Sequence, residues 1–289
     1  MLPAPFEYHR PESLDEALQL LADHGDEAKV LAGGQSLIPL MKLRFAAPGR
    51  LIDVNRIAGL DGIEEREGSL RIGALVRHNR LAASDVIRDR YPTIAAAAPM
   101  IADPIVRNLG TIGGSLAHAD PSGDLGSVMI ALGATVIARS TGGEREIAAA
   151  DLAEGPFQSS VAPNELMTEI RVPSPGARAG GTYLKLERKV GDFATVATAI
   201  FLSLENGSIA RAGIGLTSVG LTNLKAEAAE AALTGTSPGE DVFAEAGRLA
   251  AEAAQPATDV RGSADYKRHI VDVYVRRGLA VAAEMAGAA

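Results

Sequence analysis

Two glycine-centred segments are the residues of this chain best suited to bind a charged ligand. The first glycine segment runs from Ala32 to Ser36 and reads AGGQS, and the second glycine segment runs from Thr111 to Ser115 and reads TIGGS. Each follows a short apolar run and offers several backbone N–H groups with little side-chain bulk. Because glycine reaches positive φ at low cost, successive amides can point into one concavity that holds an anion such as a pyrophosphate. The pair predicts one long phosphate-bearing ligand bound at two places.

The spacing of these segments excludes the common nucleotide motifs. Neither reads G-x-G-x-x-G between a strand and a helix, and neither ends in the Lys-Ser/Thr of a P-loop. A serine hydrolase would place its nucleophile in G-x-S-x-G, and the first segment fails this pattern at Ile38. Taken alone, each glycine pair is also consistent with an ordinary turn.

Composition narrows the function further. The chain has 289 residues, which favours two or three packed units. Hydrophobic residues make up 47% of it, but no uninterrupted apolar run reaches the ~18 residues that a membrane helix needs. A net charge of -8 argues against a nucleic-acid surface. The absence of cysteine excludes disulfides, thiolate nucleophiles and cysteine-held iron–sulfur clusters. The first residues do not resemble a signal peptide, so we expect a cytoplasmic protein that does not span a membrane.

The order of predicted elements is mixed α+β. Ser13 and Glu16 form a capping box that starts a helix, which Gly25 ends, and residues 29–31 form a strand that leads into the first segment. Strands over 182–186, 194–204 and 209–216 are followed by helices over 224–233, 242–254 and 266–285. Asn206-Gly207 is a strong hairpin signal between the last two strands. The last third therefore predicts a three-stranded sheet backed by helices.

With both segments located, the chain resembles the FAD-binding medium subunits of the molybdenum hydroxylase (xanthine dehydrogenase) family, and most closely its carbon monoxide dehydrogenase branch. The resemblance runs nearly from end to end. Besides the glycine segments it rests on four stretches in the family order: FEYHRP at 6–11, LIP at 37–39, IADP at 101–104 and RKVGDFA at 188–194.

The resemblance implies a fold and a domain division. The N-terminal portion, residues 1–177, would be an FAD-binding PCMH-type domain of the kind shared with vanillyl-alcohol oxidases, made of α+β subdomains at about 1–57 and 58–177. Residues 178–289 would form an α+β domain like the C-terminal domain of the carbon monoxide dehydrogenase flavoprotein, with a three-stranded antiparallel sheet and helices. The Pro/Gly-rich stretch at 173–181 is a natural boundary between the two.

The resemblance also implies roles for individual residues. The backbone of both segments would hold the pyrophosphate of a non-covalent FAD, Asp124 would accept a hydrogen bond from a ribityl or ribose hydroxyl, and Lys185 would approach the flavin, where positive charge favours the anionic reduced ring. The chain departs from its relatives at Gln35, Ser115 and Phe193, where histidine, asparagine or aspartate, and tyrosine are found. The implied cofactor-binding residues are Ala32, Gly33, Gly34, Gln35, Ser36, Leu37, Thr111, Ile112, Gly113, Gly114, Ser115, Asp124, Lys185 and Phe193. The resemblance assigns this chain no catalytic residue and no metal ligand.

An electron-transfer role in a complex follows from the same resemblance. The chain would be the flavoprotein subunit of an oxidoreductase, in which a large molybdopterin subunit oxidises the substrate and a small subunit relays electrons through two-iron clusters to FAD, as a dimer of heterotrimers. A nucleotide-binding or assembly module that has lost its redox function is the alternative. A free-standing flavin oxidase would need acid–base residues that we do not find.

Other polar residues have simpler explanations. Asp120 precedes a proline and is predicted to be a turn residue. The five histidines show no metal-ligand spacing, and most of them are predicted to be surface or satisfied core residues. His118 is close enough to the second segment to contact a cofactor, and a structural role is equally consistent with its position. A basic cluster is predicted to be a solvated helix face or a subunit contact; it comprises Arg261, Lys267, Arg268, Arg276 and Arg277.

Overall fold

Three successive stretches of the chain, each with its own main β-sheet, make up the structure. It is a computed structural model that describes residues 2–287. Single 3₁₀ turns add to the regular elements at Gly25–Glu27, Ala98–Met100 and Ala149–Asp151.

The first stretch is a three-stranded parallel sheet with the strand order β1-β3-β2 and two helices. Its first helix begins as predicted, because the Ser13 hydroxyl accepts the Glu16 N–H at 3.2 Å. The Glu16 carboxylate accepts the N–H of Glu12 instead of that of Ser13, so the reciprocal half of the capping box was wrong by one residue. Gly25, with φ of 47°, ends the helix as predicted. The elements are β1 (Glu7–His9), α1 (Leu14–His24), β2 (Ala28–Leu31), α2 (Leu37–Lys42) and β3 (Arg50–Asp53).

The second stretch is a five-stranded antiparallel sheet with the order β4-β5-β10-β6-β7, covered by short helices. A separate two-stranded ribbon, β8-β9, lies beside it. The strands are β4 (Ile63–Arg66), β5 (Ser69–Gly73), β6 (Thr135–Ser140), β7 (Gly143–Ala148), β8 (Ala153–Gly155), β9 (Gln158–Ser159) and β10 (Leu166–Pro173). The helices are α3 (His78–Ala83), α4 (Asp85–Arg90), α5 (Pro92–Ala97), α6 (Pro104–Leu109), α7 (Ile112–His118) and α8 (Asp124–Leu132).

The third stretch is an antiparallel sheet with the order β11-β12-β13-β14, backed by helices. The three long strands are confirmed, and the Asn206-Gly207 turn has positive φ at both residues, as a tight hairpin requires. The prediction missed a short edge strand, because Leu224–Lys225 pairs with β13 and the next helix begins only at Glu227. The elements are β11 (Ala179–Leu186), β12 (Val196–Glu205), β13 (Ser208–Thr217), β14 (Leu224–Lys225), α9 (Glu227–Leu233), α10 (Glu240–Ala253) and α11 (Ala264–Met285).

Helix α8 belongs to the second stretch and packs against the sheet of the third. It packs against β12 and β13 so closely that a Cβ at Gly213 would lie 1.8 Å from the backbone oxygen of Ala131. One hydrophobic cluster contains Met129 of α8 together with Tyr183 and Phe201 of the third sheet. Residues on both sides of position 177 therefore fold around a shared core. The division into domains at 1–177 and 178–289, with subdomains meeting near 57, stays a prediction.

Candidate cofactor site

The first glycine segment presents an open row of backbone donors between β2 and α2. Within residues 2–287, the N–H groups of Gly33, Gly34, Gln35 and Ser36 donate to no protein atom. We call these four groups the amide cradle. Gly34 has φ of 70°, which turns the chain at the middle of the cradle, and Leu37 follows as the first residue of α2. Unpaired backbone donors gathered in this way suit an anion.

The second glycine segment is different, because its amides are already paired. Thr111 is the N-cap of α7, and the rest of the segment forms the first turn of that helix, so the predicted loop was wrong. None of its glycines has positive φ. The acceptors, at 2.9–3.1 Å, are Val76 O for Ile112, Ala74 O for Gly113, Thr111 Oγ1 for Gly114 and Thr111 O for Ser115. A cofactor contact through exposed Gly114 and half-buried Ser115 stays a prediction.

The structure brings the two segments side by side. A Cβ at Gly33 would lie 2.4 Å from the backbone oxygen of Leu109, two residues before the second segment. A Cβ at Gly114 would lie 3.8 Å from the Cβ of Ala32. Close approach of two backbones therefore requires glycine at position 33, whereas a turn requires it at position 34.

Asp124 forms a buried cluster with Tyr183 and Lys185. Its carboxylate accepts the Tyr183 hydroxyl at 2.7 Å and the Lys185 ammonium at 3.1 Å. Lys185 also donates to the backbone oxygen of Met100 at 3.1 Å and lies 3.4 Å from a carboxylate oxygen of Glu187. Asp124 is 8% exposed, and the Lys185 side chain is fully buried.

Burial dominates the electrostatics of this cluster. It raises the pKa of the Asp124 carboxyl above its usual value, while the charge of Lys185 and the hydrogen bond from Tyr183 oppose the rise. Burial, with the Asp124 charge beside it, raises the pKa of Tyr183 well above its ordinary value. Both Asp124 oxygens have partners inside the protein, since one accepts from Tyr183 and the other from Lys185. A hydrogen bond from Asp124 to a cofactor hydroxyl stays a prediction. The sequence reasoning missed Tyr183, although its place two residues from Lys185 on one strand puts both side chains on the same face.

Phe193 lies in the segment between β11 and β12 and is 55% exposed. Its neighbour Asp192 accepts hydrogen bonds from Arg188 at 3.2 Å and from Arg261 at 3.1 Å. Arg261 also donates to the Phe193 backbone oxygen at 2.7 Å. The segment is thus fixed by its own polar contacts, and Phe193 faces an open polar cleft of about 220 Å³.

The basic cluster is only partly a solvated helix face. Lys267 is buried and forms an ion pair of 2.7 Å with Asp259, and Arg261 binds the Phe193 segment. The prediction of a solvated helix face was therefore wrong for Lys267 and Arg261. Asp120 is confirmed as a turn residue, because its carboxylate accepts the backbone N–H of Ser122 at 2.9 Å.

His118 and His78 depart from ordinary surface behaviour. The His118 ring packs against Phe157 at 5.1 Å between centroids, and burial lowers its pKa. His78 is buried against Gly110, and its Nδ1 atom has no hydrogen-bond partner among residues 2–287. His78 is therefore neither a surface residue nor a satisfied core residue. Burial, helped by the charges of Arg107 and Arg77, lowers the pKa of His78 to about 4.

His78 is expected to make the fold sensitive to acid. Its folded pKa of about 4 lies below the ordinary value of 6.5, so between these values the unfolded chain binds a proton that the folded chain does not. Stability is therefore lost as the pH falls below about 6.5, by about 2 kcal/mol between pH 7 and pH 5. Urea unfolding of His78→Gln should lose correspondingly less stability over this range. His269→Gln, at an exposed position, is the control, and equal pH dependence in the unaltered chain and His78→Gln would contradict the assignment.

The described residues offer neither a metal-binding cluster nor a membrane-spanning helix. Across residues 2–287, no group of three or more histidine, cysteine, aspartate or glutamate side chains could hold a metal ion. Over the same residues, no helix combines the length and apolar character needed to cross a membrane.

Comparison with known proteins covers almost the whole chain. Residues 4–175 match the family described as the FAD binding domain in molybdopterin dehydrogenase, and residues 181–282 match the CO dehydrogenase flavoprotein C-terminal domain. The carbon monoxide dehydrogenase medium chain of Afipia carboxidovorans is 41% identical over 96% of this chain and 97% of its own. The 6-hydroxypseudooxynicotine dehydrogenase complex subunit alpha of Paenarthrobacter nicotinovorans is 40% identical over 98% and 96%.

A solved structure agrees with these sequence relatives. A chain of the carbon monoxide dehydrogenase from Hydrogenophaga pseudoflava, in a form that lacks the Mo-pyranopterin moiety of its molybdenum cofactor, superposes with a TM-score of 0.95. It is 44% identical to this chain, and the match covers 99% of both.

Proposed function

We propose that this chain, which belongs to the FAD-binding medium subunits of the molybdenum hydroxylase family, is the electron-transfer flavoprotein of a molybdenum hydroxylase complex. It takes electrons from iron–sulfur clusters of a partner subunit and passes them to an external acceptor. The observation that carries the proposal is the amide cradle at Gly33–Ser36, which stands open beside the second segment. FAD supplies the redox chemistry, because its flavin ring accepts electrons and releases them again.

The residues present fit a dinucleotide with a diphosphate. Four unpaired N–H groups of the amide cradle can donate to phosphate oxygens, and at Gly33 the nearest neighbours are the backbone atoms of Leu109 and Gly110. In this proposal Ala32 to Leu37 hold the diphosphate, and Gly114 and Ser115 border it. From the family resemblance, Lys185 lies near the flavin, with its buried ammonium paired with Asp124. Phe193 contacts the cofactor from the segment that Arg261 fixes.

The substrate of the complex is set by another subunit. Relatives named for carbon monoxide and for 6-hydroxypseudooxynicotine match this chain at 41% and 40% identity, so this subunit alone does not distinguish them. We propose a carbon monoxide dehydrogenase or a close relative. A nucleotide-binding module without redox function has no support among these relatives, which are named as dehydrogenase subunits.

The proposed partners follow from chemistry that this chain lacks. Without cysteine it cannot hold a cysteine-ligated iron–sulfur cluster, so the two-iron clusters lie in a small subunit and the molybdopterin cofactor in a large one. Electron entry then requires a specific contact with the iron–sulfur subunit, above the ~1,000 Å² that marks stable association. We propose a dimer of heterotrimers in the cytoplasm, which mass measurement of the purified complex and cell fractionation check.

A spectrum and a turnover assay test the function together. The purified full chain is expected to show a two-banded flavin spectrum and to release all its FAD on denaturation, since no cysteine is available for a thioether link. It should oxidise no carbon monoxide, purine, nicotine derivative or aldehyde with a dye acceptor until the two partner subunits are added. Folded chain that binds no FAD would contradict the proposal, as would full turnover by the chain alone.

A further inference from the structure

Asn55 and Arg77 form a bridge between the two glycine segments. Arg77 donates from Nη2 to the Asn55 side-chain oxygen at 2.7 Å and from Nη1 to the backbone oxygen of Leu109. Asn55 in turn donates from Nδ2 to the backbone oxygen of Ala32 at 2.8 Å. Ala32 opens the first segment, and Leu109 lies two residues before the second. Two side chains thus connect the backbones of both.

This bridge connects the first stretch, residues 2–57, to the rest of the described chain through polar groups. Within residues 2–287, the Arg77–Asn55 hydrogen bond is the single hydrogen bond or ion pair that joins residues 2–57 to residues 58–287. The other contacts include the close backbone approach at Gly33 and an apolar cluster in which Ile52 and Val54 meet Leu60 and Leu75. Apolar contacts are non-directional, whereas a hydrogen bond fixes distance and angle.

Each end of the bridge is itself held in place. The Asp53 carboxylate accepts the Asn55 backbone N–H at 2.9 Å and its side-chain N–H at 2.7 Å. The Tyr8 hydroxyl donates to the other Asp53 oxygen at 2.5 Å. On the far side, the Arg77 backbone pairs with Thr111, which is the first residue of the second segment and the N-cap of α7. The bridge therefore connects two parts of the chain that further hydrogen bonds hold in place.

We propose that the Asn55–Arg77 bridge sets the gap between the amide cradle and the second glycine segment, and so positions both for the diphosphate of FAD. The inference rests on the proposed function. Both side chains are positioning residues, because they act through the backbones of Ala32 and Leu109. Without the bridge, only packing contacts hold residues 2–57 in place, and these contacts fix neither distance nor angle as a hydrogen bond does. The fraction of molecules in the binding geometry then falls, and the apparent dissociation constant for FAD rises by the same factor.

The first test removes the bridge in the full-length chain. Arg77→Met should raise the dissociation constant for FAD roughly ten- to hundredfold, mainly through faster dissociation. Asn55→Ala should have a similar effect, and the double variant should be no weaker than the weaker single variant, because both changes remove one connected unit. Arg80→Met is the matched control. This neighbouring arginine donates to the backbone oxygen of Asp61 inside the second stretch and should leave FAD binding unchanged.

A second test separates geometry from charge. Arg77→Lys keeps the positive charge but cannot reach two acceptors with a planar fork, so it should lose as much affinity as Arg77→Met. The chain has no cysteine, so Asp15→Cys and Glu64→Cys, at exposed positions on the two stretches, can carry spin labels without background. The distance distribution between the labels should broaden in Arg77→Met.

The possible results differ clearly. Unchanged FAD affinity in Arg77→Met would overturn the bridge and leave the proposed function standing, whereas an unaltered chain that binds no FAD would overturn both. Full affinity in Arg77→Lys would overturn the positioning role and indicate a direct charge contact with the ligand. Lost affinity in Arg77→Met with an unbroadened distance distribution would also overturn the positioning role. The pair is accessible to water, so unfolding midpoints of the FAD-free variants should stay within a few degrees of the unaltered chain.

Discussion

Replacement of Asp124 by alanine is expected to lower the free energy of unfolding by about 3 kcal/mol. The reason is the fully buried Lys185 ammonium, whose ion pair with Asp124 at 3.1 Å would disappear. Removing one partner of a buried pair leaves an uncompensated charge, which typically costs about 3–5 kcal/mol. Glu187, with its oxygen 3.4 Å from the same nitrogen, keeps part of the compensation and places the expected loss at the lower end of that range.

The measurement is urea or thermal unfolding of the FAD-free chain, where the midpoint should fall by about 5–10 °C. Asp85→Ala is the control, because its ion pair with Arg88 lies on the surface and should contribute less than about 1 kcal/mol. Combining Asp124→Leu with Lys185→Met removes both charges and should recover much of the loss. A loss below about 1 kcal/mol in Asp124→Ala would mean that water reaches Lys185.

Local signals predicted the elements whose ends are set by a few neighbouring residues. Ser13 starts α1 and Gly25 ends it, and Asn206-Gly207 forms the turn between β12 and β13. In these cases capping and positive φ act within four or five residues, so the sequence contains the whole cause. The full-length resemblance added what local patterns lack, namely the family, the cofactor and the kind of complex.

Tertiary contacts explain what local patterns missed. A glycine pair in the second segment resembles a loop, yet Thr111 caps a helix there, and Gly113 is required because Ala74 packs against it. The partners Asp124 and Lys185 are 61 residues apart, and Asn55 and Arg77 are 22 apart, in the segments that follow β3 and β5. No window of sequence relates such residues before the chain folds. Leu224–Lys225 becomes a strand for the same reason, since β13 supplies its partner.

Gly33→Val is expected to abolish FAD retention, with the flavin-to-protein ratio of the purified chain falling from near one to below about 0.1. Even the Cβ of alanine at this position would lie 2.4 Å from the Leu109 oxygen and 2.7 Å from the Gly110 Cα, which are backbone atoms that cannot rotate away. Valine adds two methyl groups beside the amide cradle. The two segments must then separate, and the diphosphate can no longer reach both. A loss of about 3 kcal/mol or more of binding free energy corresponds to more than a hundredfold in the dissociation constant.

Replacement of a second glycine, Gly62, separates the clash at Gly33 from any general effect of adding a side chain. Gly62→Ala places a Cβ where no atom lies within 4 Å and where φ is not positive, so it should retain FAD, while Gly33→Ala should lose most of it. Gly113→Ala should behave differently again, because its Cβ would lie 2.6 Å from that of Ala74 in the core and should lower the unfolding midpoint as well. Near-stoichiometric FAD in Gly33→Ala would contradict the close approach of the two segments. Since the Leu109 oxygen that blocks a Cβ at Gly33 also accepts the hydrogen bond of Arg77, loss of FAD in both Gly33→Ala and Arg77→Met would indicate one common cause, the width of a single gap.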